Sequence, residues 1–137
     1  MKLNKNEREA IVTYRLEKAK ETLIEAEGNI EMKYWHTAAN RLYYACYYAV
    51  SALLIANGFT AQTHSGVIHM FGLHFIKTCK ISKELGKFYS DVFELRQTGD
   101  YSDIISIEEN EVKPMLKPAK EFIQTIQNLI VEKHSQN

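Results

Sequence analysis

Two short stretches of the sequence combine residue types that can bind phosphate or move protons. In the first, ELRQTGDYSD, Arg96 closes a predicted helix, and Asp100 and Tyr101 follow Gly99. An arginine at this place can bind the carbonyl groups of the helix end or pair with an aspartate, and so fix the connection between two helices. It can equally present its planar fork to a phosphate, with Tyr101 stacking nearby, as nucleotide or RNA recognition requires.

The second stretch is THSG, which lies at a predicted junction between a loop and a helix. Thr63 or Ser65 could cap this helix, and free backbone amides beside His64 could hold an anion or contact a partner. The alternative is a capping turn in which His64 only completes the local packing.

A metal site is not expected. His64, His69 and His74 recur every five residues, which is roughly 140° around a helix, so their side chains diverge. HExxH, paired Glu-x-x-His, a glycine-rich phosphate loop and GxSxG are all absent from the sequence, and no cofactor is expected.

The segment RLYYACYYAVSALL carries one arginine and four tyrosines on a helix that is otherwise apolar. At about 100° per residue, Arg41, Tyr44 and Tyr48 fall within roughly 60° of one another, whereas Tyr43 and Tyr47 point elsewhere. One flank of this helix is therefore predicted to be polar and to bind a ligand.

A buried guanidinium without a partner costs several kcal/mol, so Arg41 must meet a carboxylate, carbonyl groups or an external anion. Asp100 is the partner that we expect first within the chain.

These side chains must be positioned by helices. Apolar residues spaced alternately by three and four predict one helix over about residues 5–28 and a second from Trp35 that ends at Asn57-Gly58. Alanines along the second helix would let a neighbouring helix approach closely.

Further helices are predicted for VIHMFGLHFIKTC and for SKELGKFYSDVFELRQ, the latter with Ser82 as its N-cap. The stretch TGDYSDIIS is predicted to be irregular because it contains Gly99. A last helix opens at Ser106 with the acidic EENE, and Pro114 in its first turns is tolerated or bends it modestly.

No segment alternates convincingly with a period of two. The expected fold is all-α, an antiparallel up-and-down bundle of four to five helices, in a single domain over residues 1–137 with its core at about 8–130.

Composition excludes several classes of protein. The 137 residues include 17 basic and 17 acidic side chains, so binding of nucleic acid would need a local patch. The longest nearly apolar run is about a dozen residues, too short to span a membrane. Cys46 and Cys79 have no metal-binding spacing and are predicted to be small buried residues of a cytoplasmic protein.

Four motifs in order, AANRLYYACYYAVSALL, THSGVIHMF, LRQTGDY and KPAKEFIQTI, resemble the HEPN domain family (higher eukaryotes and prokaryotes nucleotide-binding), in its small stand-alone prokaryotic branch. The likeness covers roughly residues 8–130. It implies an antiparallel helical bundle that commonly dimerises and is often paired with a minimal nucleotidyltransferase in toxin-antitoxin modules.

In many members of that family, an arginine followed four to six residues later by histidine builds a metal-independent ribonuclease site across the dimer interface. Arg96 matches the arginine, but the sequence from Asp100 onward reads Asp-Tyr-Ser-Asp, without a histidine at any of those spacings. A histidine both accepts and donates protons near neutral pH, which an ordinary aspartate does not.

Three hypotheses follow. The main one is a homodimeric HEPN-like protein that binds nucleotide or RNA phosphate, as one component of a two-protein module with a minimal nucleotidyltransferase. The first alternative is a metal-independent ribonuclease in which Arg96 stabilises phosphate charge and Asp100 or His64 moves protons. The second is a structural hydrogen-bond network in an interaction scaffold. The candidate site residues are Arg41, Tyr44, Tyr48, His64, Ser65, Arg96, Asp100 and Tyr101.

Overall fold

A computed structural model describes residues 3–101 and 106–135, with side chains as far as Lys133. Within these residues the fold is all-α, as predicted, and contains no strand. The helices are α1 (Lys5–Glu31), α2 (Trp35–Ala56), α3 (His64–Phe71), α4 (Lys83–Tyr101), α5 (Glu109–Val112) and α6 (Leu116–Ser135). A π-helical turn, Gly72–Ile76, extends α3, and a 3-10 turn, Lys113–Met115, joins α5 to α6.

Helix α1 begins at a capping box. The side chain of Asn4 accepts the backbone N–H of Glu7 at 2.8 Å, and the Glu7 carboxylate accepts the backbone N–H of Asn4 at 3.1 Å. The helix continues past Gly28, where its end was predicted, because the turn to α2 is made at Lys33, whose φ is 63°. This short turn sets α1 and α2 against each other as an antiparallel pair.

Helix α2 is the central element and packs against α1, α4 and α6. Its small buried residues allow close approach of the neighbouring backbones. Asn57 is its C-cap, and Gly58 adopts a φ of 78°, which confirms the predicted end. The fully buried alanines of α2 are Ala38, Ala39, Ala45, Ala49 and Ala52.

Side-chain caps begin the next two helices. Thr63 Oγ1 accepts the backbone N–H of Gly66 at 2.9 Å and starts α3. Ser82 Oγ accepts the backbone N–H of Leu85 at 3.2 Å at the start of α4. Both predicted caps are confirmed, although α3 begins at His64, earlier than expected.

The prediction of an irregular segment from Thr98 was wrong for residues 98–101, which belong to α4. Gly99 does not break this helix, because its missing side chain leaves room for Ile107 and for the imidazole of His36. Residues 102–105, the remainder of that prediction, lie outside the part of the chain that is described.

The last helical segment begins at Glu109, with Glu108 as its N-cap, rather than at Ser106. The Glu111 carboxylate accepts the backbone N–H of Glu108 at 3.1 Å and so opens α5. Pro114 lies in the 3-10 turn that precedes α6, in agreement with a local bend at the proline.

The core is rich in aromatic rings and closes around Tyr43, Phe71, Tyr89 and Phe122. Cys46 is buried, as expected, but Cys79 is exposed, so its predicted burial was wrong. Cys79 follows the π-helical turn with a φ of 62°, and this reversal carries its side chain to the surface. None of the helices in the described ranges combines the length and hydrophobicity of a membrane span.

Candidate functional site

Arg96 is a buried cation on α4, only 8% exposed. Its Nε donates to Asp100 Oδ2 at 2.8 Å, and its Nη2 donates to Tyr44 Oη at 3.0 Å. The centre of the guanidinium lies 5.2 Å from the ring centroid of Tyr44 and 5.5 Å from those of Tyr43 and Tyr101. One carboxylate and three aromatic rings therefore offset the cost of burying this charge.

Two opposing effects act on the pKa of Arg96. Burial by itself lowers the pKa, whereas Tyr44, Tyr101 and Asp100 together outweigh that effect and raise it. The guanidinium is therefore a permanent positive charge beneath the molecular surface.

Asp100 is linked to Arg41 through Asn40. Asp100 Oδ2 accepts Asn40 Nδ2 at 3.0 Å, and Asn40 Oδ1 accepts Arg41 Nη2 at 2.7 Å and Nε at 3.0 Å. Arg41 Nη1 also lies 3.6 Å from Glu25 Oε1. The predicted direct pairing of Arg41 with Asp100 was wrong, because Asn40 stands between them and Arg96 already binds the same carboxylate oxygen.

His64 enters the same region from the start of α3. Its Nδ1 lies 2.6 Å from Tyr43 Oη, and its ring centroid is 4.8 Å from that of Tyr47 and 5.8 Å from that of Tyr44. Partial burial, and secondly the charge of Arg96, lower the pKa of His64, so the imidazole is neutral at neutral pH.

Burial raises the pKa of Tyr43, so the hydroxyl bonded to His64 stays protonated. We name the whole constellation the Arg96 cluster. It consists of Asn40, Arg41, Tyr43, Tyr44, His64, Arg96, Asp100 and Tyr101.

Comparison with known proteins identifies the family of this chain. Residues 12–129 match the family model described as HEPN domain. The chain belongs to the HEPN domain family. A "UPF0332 protein" of Thermotoga maritima is 45% identical over 125 residues, which cover 91% of this chain and 95% of the relative.

Two relatives come from Methanocaldococcus jannaschii. "Putative toxin MJ0605" is 33% identical and the match covers 95% of this chain and 96% of that protein. "Putative toxin MJ0142" is 31% identical, over 87% of this chain and 81% of that protein.

A solved structure of the same fold is the crystal structure of TT1696 from Thermus thermophilus, with a TM-score of 0.73. The match covers 85% of this chain and 96% of that one, at 17% sequence identity, so the likeness is one of fold.

The HEPN fold brings most of the predicted site residues together. Arg96 directly contacts Tyr44, Asp100 and Tyr101. His64 joins this group through its contact with the ring of Tyr44. Arg41 reaches the same group through an intermediate side chain rather than directly.

Two predicted ligand-binding residues lie at the margin. Tyr48 packs against the rings of Tyr44 and Tyr47, with centroid distances of 6.1 and 5.9 Å. Ser65 is exposed, and its hydroxyl lies 3.4 Å from that of Thr63. Neither side chain makes a hydrogen bond to the Arg96 cluster within the described residues.

The sequence prediction missed two members of the cluster. Tyr43 was placed away from the polar flank, because a single helix does not show that α3 brings His64 to its other side. Asn40 was overlooked, although it precedes Tyr44 by four residues and so shares its face of α2. This spacing of four residues was the sequence feature from which Asn40 could have been predicted.

The cluster lies outside a cavity at one end of the bundle. A cavity of about 870 Å³ lies between the start of α1 and the ends of α2 and α6, and is lined by residues such as Arg8, Leu16 and Ile130. No residue of the Arg96 cluster lines it. Over the described ranges, no group of three or more metal-binding side chains is arranged to hold an ion.

Proposed function

We propose that this HEPN protein binds RNA phosphate through the Arg96 cluster. The observation that carries the proposal is the position of Tyr101, which is 73% exposed and lies 5.5 Å above the buried guanidinium of Arg96. Proteins that bind single-stranded RNA combine cations for the phosphates with aromatic faces on which bases stack. Arg96 and Tyr101 supply one of each.

The charge balance of the cluster also supports binding of an anion. Within the cluster, Arg41 and Arg96 carry positive charge and Asp100 is the acidic side chain, while His64 is neutral at neutral pH. The net charge of the cluster is therefore positive. Glu25 lies 3.6 Å from Arg41, but its side chain is 57% exposed, so water screens that ion pair.

We further propose that the protein is one component of a toxin-antitoxin-like module. Similarity to two proteins named as putative toxins, over at least 87% of this chain, supports this assignment. From the family resemblance we infer a homodimer with a minimal nucleotidyltransferase as the second protein. The exposed free thiol of Cys79 fits a reducing compartment such as the cytoplasm.

Titration of a labelled single-stranded RNA, followed by fluorescence anisotropy at two salt concentrations, tests the binding. We expect saturable binding that weakens with salt, because phosphate contacts release counterions. Tyr101→Ala removes the stacking face and raises the Kd about tenfold. Because Tyr101 is 73% exposed but contacts Arg96, the melting temperature should fall only slightly.

Tyr14→Ala is the matched control, because Tyr14 is 64% exposed on α1. It should bind RNA as the wild type does. Equal losses in both variants, or no saturable binding by the wild type, would contradict the proposal. Competition with ATP distinguishes a free nucleotide from an RNA strand as the preferred ligand.

A second candidate function, metal-independent ribonuclease activity, is favoured by one observation. A neutral imidazole, His64, shares the Arg96 cluster with a permanent cation. His64 could accept the proton of a ribose 2′-hydroxyl, whose oxygen attacks the adjacent phosphorus while Arg96 stabilises the phosphate charge. The 5′-oxygen leaves with the proton that His64 returns to it, which gives a 2′,3′-cyclic phosphate and a 5′-hydroxyl and leaves His64 neutral again.

Incubation of RNA with wild-type protein and with Arg96→Lys, both in chelator, tests this second function. We expect cleavage by the wild type to exceed that by the variant, which keeps the charge but loses the fork. Equal and negligible cleavage by both rejects the ribonuclease. If RNA is not bound either, and Arg96→Ala chiefly lowers the melting temperature, the cluster is a structural network.

A further inference from the structure

The side-chain amide of Asn40 lies between two charged groups of opposite sign. Its Oδ1 accepts two N–H groups of Arg41, and its Nδ2 donates to Asp100. A guanidinium has only donors and a carboxylate only acceptors, so a single orientation of the amide satisfies both neighbours. Asn40 therefore connects Arg41 of α2 to Asp100 of α4, with its oxygen facing Arg41 and its nitrogen facing Asp100.

The two arginines converge on one aromatic ring. The guanidinium carbon of Arg41 lies 5.3 Å from the ring centroid of Tyr44, and that of Arg96 lies 5.2 Å from it. Two like charges beside the same ring repel each other, and an anion that contacts both would relieve the repulsion. Something must hold both groups in place when the anion is absent.

We propose that Asn40 is the positioning residue of this site, which holds Arg41 and the Asp100–Arg96 pair in register so that both guanidinium groups meet the same phosphate. The inference rests on the proposed RNA binding. Asn40 keeps Arg41 from pairing directly with Asp100, because the amide occupies the space between them and supplies each with its partner.

Asn40→Asp keeps the contact with Arg41 and removes the hydrogen bond to Asp100. The new carboxylate still accepts from Arg41, but above neutral pH it has no hydrogen to donate to Asp100 and repels it instead. Arg41→Gln is the complementary change, which removes the charge at the other end and leaves the bond between Asn40 and Asp100 intact.

The pH dependence of RNA binding is the decisive measurement. At about pH 8, Asn40→Asp should raise the Kd about tenfold, the size of a lost hydrogen bond to a charged group. At about pH 5.5, two carboxyl groups in contact share a proton, and the shared proton restores the bond between positions 40 and 100. The ratio of the variant Kd to the wild-type Kd should then fall to about two or less.

Other groups near position 40 also titrate or carry charge, and for this reason the ratio to the wild type is the quantity compared. These groups are Glu25, His36, Arg41, Tyr44, His64, Arg96 and Asp100. All of these groups are present in both proteins, so their own effects on the Kd cancel in the ratio. The pH dependence that remains comes from the change at position 40 and its contact with Asp100.

Asn128→Asp is the matched control, because it makes the same change of charge at an exposed position of α6, where Asn128 accepts from Gln124. Its ratio to the wild type should stay near one at both pH values. A ratio for Asn40→Asp that is constant with pH, or that follows only the melting temperature, overturns the positioning role. A ratio near one at both pH values overturns it as well.

Carbon-13 NMR of the aspartate carboxyl groups, without RNA, separates this inference from the proposed function. In Asn40→Asp, a carboxyl pair should titrate at higher pH than an isolated carboxyl does, and Asn128→Asp should show no such step. If the wild type fails to bind RNA, the proposed function fails, and the proposed role of Asn40 in positioning the two arginines for phosphate fails with it. If the wild type binds and the ratio is flat, only the positioning role fails.

Discussion

At the scale of the single residue, the imidazole of His64 couples the stability of the fold to pH. Burial, and secondly the charge of Arg96, lower its pKa in the folded chain, so the unfolded chain binds a proton more readily. The contribution of the neutral imidazole to stability is present above the unfolded pKa of about 6.5. It is lost as the pH falls through the folded value.

Urea denaturation between about pH 7.5 and 5.5 measures this coupling. We expect the free energy of unfolding of the wild type to decrease as the pH falls, and more steeply than that of His64→Gln. His69→Gln, at an exposed position of α3, should keep the wild-type slope. Equal slopes for the wild type and His64→Gln would contradict the prediction.

The members of the Arg96 cluster could be predicted from the sequence better than the contacts between them. Arg96 and Asp100 are four residues apart on one helix, and a contact at that spacing follows from helical geometry. The partner of Arg41 did not follow, because it depends on how α2 and α4 rotate against each other. Asn40 lies between Arg41 and Asp100, and apolar periodicity carries no information on such a polar contact.

At the scale of the helix, replacement of two glycines by alanine should have opposite effects on stability. Gly28 in α1 has no neighbouring atom within 4 Å of the place a methyl group would occupy. At Gly99 in α4, the methyl group would overlap the buried side chain of Ile107. Neither glycine has a positive φ, so the surroundings and not the backbone decide the effect of a side chain.

Gly28→Ala should raise the free energy of unfolding by about 0.5–1 kcal/mol, because alanine is the better helix former and meets open space. Gly99→Ala has the same advantage but must displace Ile107, so a net loss of about 1 kcal/mol or more is expected. Urea denaturation of the two variants side by side checks this, and equal stabilisation of both would contradict it.

The same contrast explains which helix ends were predicted correctly. Ser82 and Asn57-Gly58 mark helix ends through local hydrogen bonds and backbone conformation, which a sequence displays directly. Gly99 looked like a break on propensity alone. Its helical conformation is stabilised by packing against Ile107, a tertiary contact that propensity does not contain.

At the scale of the whole molecule, the two cysteines report whether the bundle is closed. Cys46 is fully buried in α2, and burial raises the pKa of its thiol, so little thiolate is present in the folded chain. Cys79 is exposed after the π-helical turn. The two thiols should therefore differ widely in reactivity.

A chromogenic disulfide reagent should modify one thiol per chain in the folded protein and two in denaturant. Cys79→Ser should show no rapid modification when folded, because only the buried thiol of Cys46 remains. Rapid modification of two thiols in the folded wild type would show that the bundle opens readily around α2.

The Arg96 cluster joins parts of the chain that are far apart in sequence. Asn40 and Asp100 are separated by 60 positions, and Tyr44 and Arg96 by 52. The α1–α2 hairpin, by contrast, closes through the short turn at Lys33 and can form from local contacts. During folding, the cluster can be completed only after α4 has docked on α2. A chain that retains its full helical content can therefore lack the cluster entirely, and circular dichroism would not reveal the loss.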